Sequence, residues 1–122
     1  PNFTGTEEDF IAAYEEKKRA HRALDLQDLT RETVMGMRSG TVKPLPATHV
    51  LCDEYQDVDW NQLWWLMEHR AAGATLTVVG DDDQSVYGWR NSLGVTAFRE
   101  FEKLVQPEVI HLEVNYRSCR EV

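Results

Sequence analysis

Two adjacent carboxylates, those of Asp53 and Glu54, follow a short apolar run at residues 50–52. Mg²⁺ prefers hard oxygen ligands and keeps several of its waters, so one carboxylate is enough to hold it directly or through water. The neighbouring carboxylate can then orient or deprotonate an attacking water. The pair suits a nucleotide hydrolase, although a solvated strand end or a helix cap explains the same two residues.

A longer polar stretch begins at Gly80 with three successive acids after it. Gln84 can both donate and accept a hydrogen bond, which suits a residue that senses a γ-phosphate or its attacking water. Tyr87, Trp89 and Arg90 form an aromatic and cationic surface of the kind that stacks exposed bases, at about 1–3 kcal/mol per base. The alternative is that Tyr87 and Trp89 are core residues with polar tips.

A third polar group, Tyr116 and Arg117, follows the apolar run at residues 109–112. An arginine after a strand can form two bonds with a phosphate, as an arginine finger does. The tyrosine ring could stack on a purine. A surface Arg–Tyr pair explains the same residues when they are considered alone.

Each polar group follows an apolar run, so the elements that position the groups can be predicted. β-Branched residues bounded by turn residues predict strands over 50–52, 75–79 and 109–112. Apolar spacing and capping residues predict helices that begin after Thr6 and that cover about 26–39, 60–72 and 93–105. Alternating strands and helices indicate an α/β fold with a parallel sheet. Ligands gather beyond the carboxyl ends of such strands, so the three polar groups are expected to converge at one edge.

Composition limits the classes of protein that fit. The chain has 122 residues, 42% hydrophobic and 28% charged, as in an ordinary globular domain. No apolar run approaches membrane-spanning length and no secretory leader opens the chain, so we expect no membrane partner. Cys52 and Cys119 are too few for a disulfide framework, which favours reduced thiols and a cytoplasmic protein. The net charge of -8 means that any contact with nucleic acid must be local.

Together the three polar groups resemble the motifs of UvrD/Rep/PcrA-type superfamily-one DNA helicases. Residues 53–57 resemble the DEFQD motif of that family, with Tyr55 in place of the usual Phe. Residues 80–90 match its GDDDQSIYGWR motif with one Ile-to-Val change, and residues 115–118 match NYRS. Residues 24–29 are similar to the DFxDLL stretch that precedes the acidic motif. The order and spacing of the motifs agree, so the resemblance covers nearly the whole chain.

The resemblance implies an α/β fold of the RecA-like (P-loop NTPase) class, of which this chain is part. Residues 1–40 would form a helical lead-in, and residues 48–122 would form a core that carries the motifs. We therefore expect a parallel sheet of about three strands flanked by helices. The implied activity is ATP hydrolysis coupled to 3′–5′ movement along single-stranded DNA, with ATP and Mg²⁺ as cofactors.

The resemblance also implies a role for each motif residue. Asp53 would help to hold Mg²⁺ and Glu54 would be the base for the attacking water. Gln56 and Gln84 would couple the γ-phosphate to DNA binding. The remaining roles concern ligands: Tyr116 would stack on adenine, Arg117 would touch the γ-phosphate, and Tyr87, Trp89 and Arg90 would contact single-stranded DNA.

No G-x-x-x-x-G-K-[ST] phosphate loop occurs in the sequence. The triphosphate therefore lacks the backbone amides and lysine that cradle it, and we expect the chain to be inactive without the remainder of a helicase. In this fold class the phosphate-loop strand lies between the strands that end at Gln84 and at Tyr116. Without it, the last strand is displaced, pairs directly with strand 75–79, or leaves a gap that a second copy fills by self-association.

Two other functions fit the same residues. A helicase-derived module could bind or act as a scaffold without turnover. Clustered carboxylates could also hold the two metals of a nuclease, but no lysine has the spacing that a nuclease site would need.

Overall fold

The computed structural model describes residues 5–84, 92–114 and 116–117. Its longer helices are α1 (Glu7–His21), α2 (Leu26–Ser39), α3 (Trp60–Ala71) and α4 (Val95–Val105). Its strands are β1 (His49–Cys52) and β2 (Thr75–Val78). Single 3₁₀ turns at Tyr55–Asp57 and Asp82–Gln84 follow the two strands. No helix within the described ranges is both long and apolar enough to cross a membrane.

Three helices begin where local hydrogen bonds fix their first turn. At each start a side chain accepts the backbone N–H three residues later, and the residue at that later position bonds back to the backbone of the first. These capping boxes pair Thr6 with Asp9, Asp25 with Asp28, and Asp59 with Gln62. Each box satisfies two N–H groups that the helix itself leaves unpaired, so these starts are encoded locally.

The two strands form a parallel pair in which Val50 lies opposite Leu76 and Cys52 lies opposite Val78. Parallel pairing requires a crossover, which α3 supplies between the strands. Alternate residues face the core, and these four side chains are all half-buried against it. The opposite face is open, with Leu51 75% exposed. In the described structure the sheet therefore has its core on one face.

The core lies between the sheet, α3 and α4. Its fully buried members come from the turn after β1 and from these two helices: Tyr55, Val58, Leu63, Leu66, Ala97 and Phe101. The ring of Tyr55 meets those of Phe98 and Phe101 edge to face, with centroids 5.3 and 5.4 Å apart. Such geometry is favourable beyond the apolar area that it buries. The turn that follows the acidic pair is thus anchored in the densest part of the molecule.

The third predicted strand does not form, so the expectation of about three strands is wrong for the described residues. Residues 109–112 form no regular secondary structure and pair with neither β1 nor β2. Ile110 is 74% exposed and Leu112 is 86% exposed. A strand is stable only when a neighbour satisfies its backbone groups and covers one face, and apolar β-branched composition alone does neither.

Candidate active site

The acidic pair lies where β1 ends, as predicted. Asp53 and Glu54 are both exposed, and Asp53 Oδ1 accepts the backbone N–H of Glu54 at 2.9 Å. Glu54 adopts the left-handed conformation with φ of 50°. Among described residues other than glycine, only Arg22 and Gln106 also have positive φ, and both end helices. Glu54 instead precedes the 3₁₀ turn at Tyr55–Asp57, so the left-handed conformation lies at the turn out of β1 that carries the predicted catalytic residue.

The loops after β1 and β2 leave the sheet side by side because the backbone ladder continues past both strands. The Val79 N–H donates to the Cys52 carbonyl at 2.8 Å, and the Tyr55 N–H donates to the Val79 carbonyl at 2.9 Å. These two bonds bring the residues after Cys52 next to the residues after Val79. The predicted convergence of the first two polar groups at one sheet edge is therefore present.

Gln56 joins the two loops through its side-chain amide. Although it follows an exposed acidic pair, Gln56 is only 2% exposed. Its Nε2 donates to Glu54 Oε2 at 2.7 Å, and its Oε1 accepts the Asp81 N–H at 3.1 Å. Both ends of the amide are thus used within the protein.

Gly80 is required by the closeness of these two loops. A Cβ at this position would lie 2.5 Å from Gln56 Oε1 and 2.9 Å from the Tyr55 backbone nitrogen. The backbone nitrogen belongs to the ladder and cannot move aside easily, so any side chain at position 80 would separate the loops. Glycine is needed here for close approach rather than for a special backbone angle.

Asp81 organises the turn that carries Gln84. Its Oδ1 accepts the Asp83 N–H at 3.1 Å, and its Oδ2 accepts a bond from Gln84 Nε2. The Gln84 N–H donates to the Asp81 carbonyl at 3.1 Å. Sequence reasoning treats the acids after Gly80 as one repelling group and so misses this role. The available signal was the spacing of Asp81 from Gln84, which suits a carboxylate that closes a turn.

The structure thus brings together four of the predicted site residues: Asp53, Glu54, Gln56 and Gln84. It does not bring Tyr116 and Arg117 to the sheet edge on a third strand. Tyr116 is 92% exposed. The predicted DNA contacts Tyr87, Trp89 and Arg90 lie outside the described residues, as do Asn115 and Ser118 of the last motif.

The donor set at the edge fits Mg²⁺. Asp53 Oδ2 and Glu54 Oε1 take no part in the hydrogen bonds above, and both residues are exposed. Mg²⁺ bound with nucleotide needs only one or two protein carboxylates, with water and phosphate oxygens completing the octahedron. No cluster of three or more His, Cys, Asp or Glu residues suited to a metal occurs in the part of the chain that the structure describes. A metal site made of protein ligands alone is thus not present in those residues. The two carboxylates fit instead a site in which phosphate oxygens and water supply the other ligands.

Cys52 precedes the acids, and its thiol has the surroundings of a core residue. The thiol is free and half-buried. Burial, reinforced by the charge of Asp53, raises the pKa of Cys52. The thiol therefore stays protonated at neutral pH, and Cys52 serves as a small core residue, as its place in an apolar run predicts.

Most of the sequence matches a known family model. The UvrD/REP helicase N-terminal domain model matches residues 2–106. The chain belongs to this family. The resemblance found in the motifs is thereby confirmed over most of the chain, including α1 and α2.

Relatives of this family are longer DNA helicases. The chain is 39% identical over 74 residues to DNA helicase II of Haemophilus influenzae, which covers 61% of this chain and 10% of the relative. It is 34% identical over 113 residues to the ATP-dependent DNA helicase Rep of Salmonella typhimurium. This match covers 89% of this chain and 17% of the relative. It is 32% identical over 116 residues to an ATP-dependent helicase/nuclease of Carboxydothermus hydrogenoformans, covering 93% and 10%. The chain thus spans between a tenth and a fifth of the length of these relatives.

Proposed function

We propose that this chain is the later part of the first RecA-like domain of a DNA helicase motor of the UvrD/Rep type. The motor would couple ATP hydrolysis to 3′–5′ movement along single-stranded DNA. The main support is the hydrogen-bonded connection between Glu54 and Gln84 at the ends of two adjacent parallel strands. A carboxylate and an amide held together beyond the carboxyl ends of a parallel sheet suit a base and a phosphate sensor.

The acidic pair would divide two tasks between its side chains. Bound Mg·ATP supplies the electrophilic γ-phosphorus and a metal that neutralises charge on the phosphate oxygens. Asp53 would hold the metal or one of its waters through Oδ2. Glu54 would orient the attacking water and accept its proton at Oε1, because Oε2 is engaged by Gln56.

The other candidates would act on the nucleotide and on DNA. Gln84 would contact the γ-phosphate or the attacking water. Arg117 would neutralise charge on the γ-phosphate and Tyr116 would stack on adenine, which its exposed ring permits. Single-stranded bases would stack on Tyr87 and Trp89, with Arg90 nearby. ATP, Mg²⁺, single-stranded DNA and the rest of the motor are therefore the proposed ligands and partners.

A chimeric helicase tests this proposal. The chain would replace the matching stretch of Salmonella typhimurium Rep, and phosphate release would be measured with and without single-stranded DNA. We expect ATP hydrolysis that DNA stimulates, and we expect Glu54→Gln to lower kcat by about a hundredfold or more, as for loss of a general base.

The matched control for this experiment is Glu102→Gln. This change removes an exposed carboxylate of α4 that lies outside all of the motifs, and it should leave hydrolysis unchanged. Equal hydrolysis by the Glu54→Gln and Glu102→Gln chimeras would refute the catalytic role of Glu54. It would favour a binding or scaffold module instead.

A further inference from the structure

The bonds of Gln56 and Asp81 form one continuous hydrogen-bond network between two of the predicted site residues, Glu54 and Gln84. Glu54 accepts from Gln56, Gln56 accepts from the Asp81 N–H, and Asp81 accepts from Gln84. The orientation of the Gln56 amide is dictated by its neighbours, since a carboxylate only accepts and an N–H only donates. The hydrogen bonds therefore all run from donor to acceptor in one direction, from Gln84 to Glu54.

We propose that Gln56 and Asp81 are positioning residues that hold Gln84 in register with Glu54. Gln56 would then act inside the protein rather than as an ATP ligand, because both of its polar atoms are engaged and it is 2% exposed. The inference rests on the proposed function of Glu54 and Gln84. Its new content is the assignment of Asp81 and the reassignment of Gln56.

The physical need for such a link follows from where the two catalytic residues lie. Glu54 and Gln84 are both exposed, and each lies in a short turn that begins beyond its strand. Side chains in separate surface turns move independently unless something buried joins them. Gln56 is buried in the core beside Tyr55, and its bond to the Glu54 carboxylate is strengthened by charge. A change at Glu54 is therefore transmitted to Gln84.

Hydrogen exchange in the whole chain without nucleotide tests the link itself. Nitrogen-15 NMR would follow the side-chain amide protons of Gln84. Glu54→Ala removes the acceptor at one end of the hydrogen-bond network, and Gln56→Leu removes the amide in its middle. Both should speed exchange at Gln84 by up to about fivefold, because Asp81 loses its fixed position and its hydrogen bond with Gln84 opens more often.

The exposed side-chain amide of Gln27 on α2 is the internal control, and its exchange should not change in either variant. Glu54→Ala removes an exposed side chain and one partner of the Gln56 amide, which is a smaller change than Gln56→Leu, so circular dichroism should show this variant folded even where Gln56→Leu is damaging. Unaltered exchange at Gln84 in Glu54→Ala would overturn the proposal.

Kinetics of the Rep chimera separate positioning from nucleotide binding. Gln56→Leu and Asp81→Asn should lower kcat about tenfold to a hundredfold with little change in KM for ATP, as for a misplaced catalytic group. A raised KM with unchanged kcat would make Gln56 a nucleotide ligand and would contradict the proposal. An unmodified chimera that hydrolyses no ATP would count against the proposed function, while exchange at Gln84 would still decide whether the link exists.

Discussion

At the scale of single residues, the hydroxyl of Tyr55 stands out because it is buried without a hydrogen bond. The side chain is fully buried, and its hydroxyl oxygen has no partner among the described residues. Burial also raises the pKa of Tyr55, so the hydroxyl remains neutral. A buried polar group that lacks a partner costs about 1–3 kcal/mol. The ring packs well against Phe98 and Phe101, so the cost is confined to one oxygen atom.

Replacing Tyr55 with Phe should therefore stabilise the chain. We expect Tyr55→Phe to raise the free energy of unfolding in urea by about 1 kcal/mol, because the ring contacts remain and the unpaired hydroxyl is removed. Tyr14→Phe is the control, since the Tyr14 hydroxyl donates to Asp25 at 3.2 Å and its loss should be slightly destabilising. A clear loss of stability in Tyr55→Phe would show that the hydroxyl does have a partner in the folded chain.

At the scale of elements, helices were more predictable than strands because their signals are local. Thr6, Asp25 and Asp59 each start a helix through a bond to a residue three positions later. Such bonds depend only on neighbouring sequence, so the starts of α1, α2 and α3 can be predicted from it. Residues 109–112 have the composition of a strand, but pairing depends on a distant neighbour that composition does not supply.

Helix α1 is held to the start of α2 by ionic contacts more than by buried apolar side chains. None of its residues is buried, whereas the side chain of Lys18 is only 10% exposed. Lys18 Nζ lies 2.7 Å from Asp28, 3.0 Å from Asp25 and 2.7 Å from Glu15 on its own helix. The Asp28 N–H and the Lys18 ammonium lower the pKa of Asp25 to about 2. Lys18 and the Asp25 N–H likewise lower the pKa of Asp28.

The attachment of α1 should consequently weaken in acid. Unfolded aspartate titrates at about pH 3.9. Because the pKa of Asp25 is lower in the folded chain, the ionised carboxylate stabilises the fold above about pH 4. This stabilisation is lost as the pH falls towards 2. We expect the backbone amide signals of α1 to shift towards unfolded values over this range in NMR spectra.

Helix α4 provides the internal comparison, because it is anchored by the buried side chains of Ala97 and Phe101. Its amide signals should change less than those of α1. In Lys18→Met, Asp25 loses its cation and Asp28 keeps only Arg31, which lies on its own helix. Helix α1 should therefore be loosened already at pH 7, and its acid transition should be small. A Lys18→Met chain with an unchanged acid transition would rule out the ionic attachment.

At the scale of the whole molecule, the sequence predicted that the first two polar groups meet but not how they are joined. Polar residues after two strands were expected at one edge, and the parallel pairing of β1 and β2 brings them there. The burial of Gln56 was not predictable, since a polar residue beside two acids is ordinarily exposed. Its burial depends on contact with the loop after Gly80, which is distant in sequence. The third polar group, at Arg117, does not lie at this edge, because the strand predicted to bring it there does not form.

The isolated chain has an apolar core but no phosphate loop, which leads to a further prediction. Buried residues from the β1 turn, α3 and α4 form one apolar cluster, so the chain should fold. The sequence contains no phosphate loop, and the exposed carboxylates of Asp53 and Glu54 repel a triphosphate unless a metal and cationic groups offset their charge. The isolated chain should therefore release no phosphate from ATP above background, with or without single-stranded DNA.

Phosphate release from the purified chain, compared with that from Glu54→Gln, checks this prediction. Both proteins should give the same background value while circular dichroism shows both to be folded. A contaminating hydrolase would give equal rates in both and would not be affected by the substitution. Steady hydrolysis that Glu54→Gln abolishes would contradict the prediction, because the carboxylate edge alone would then retain a triphosphate well enough for attack by water.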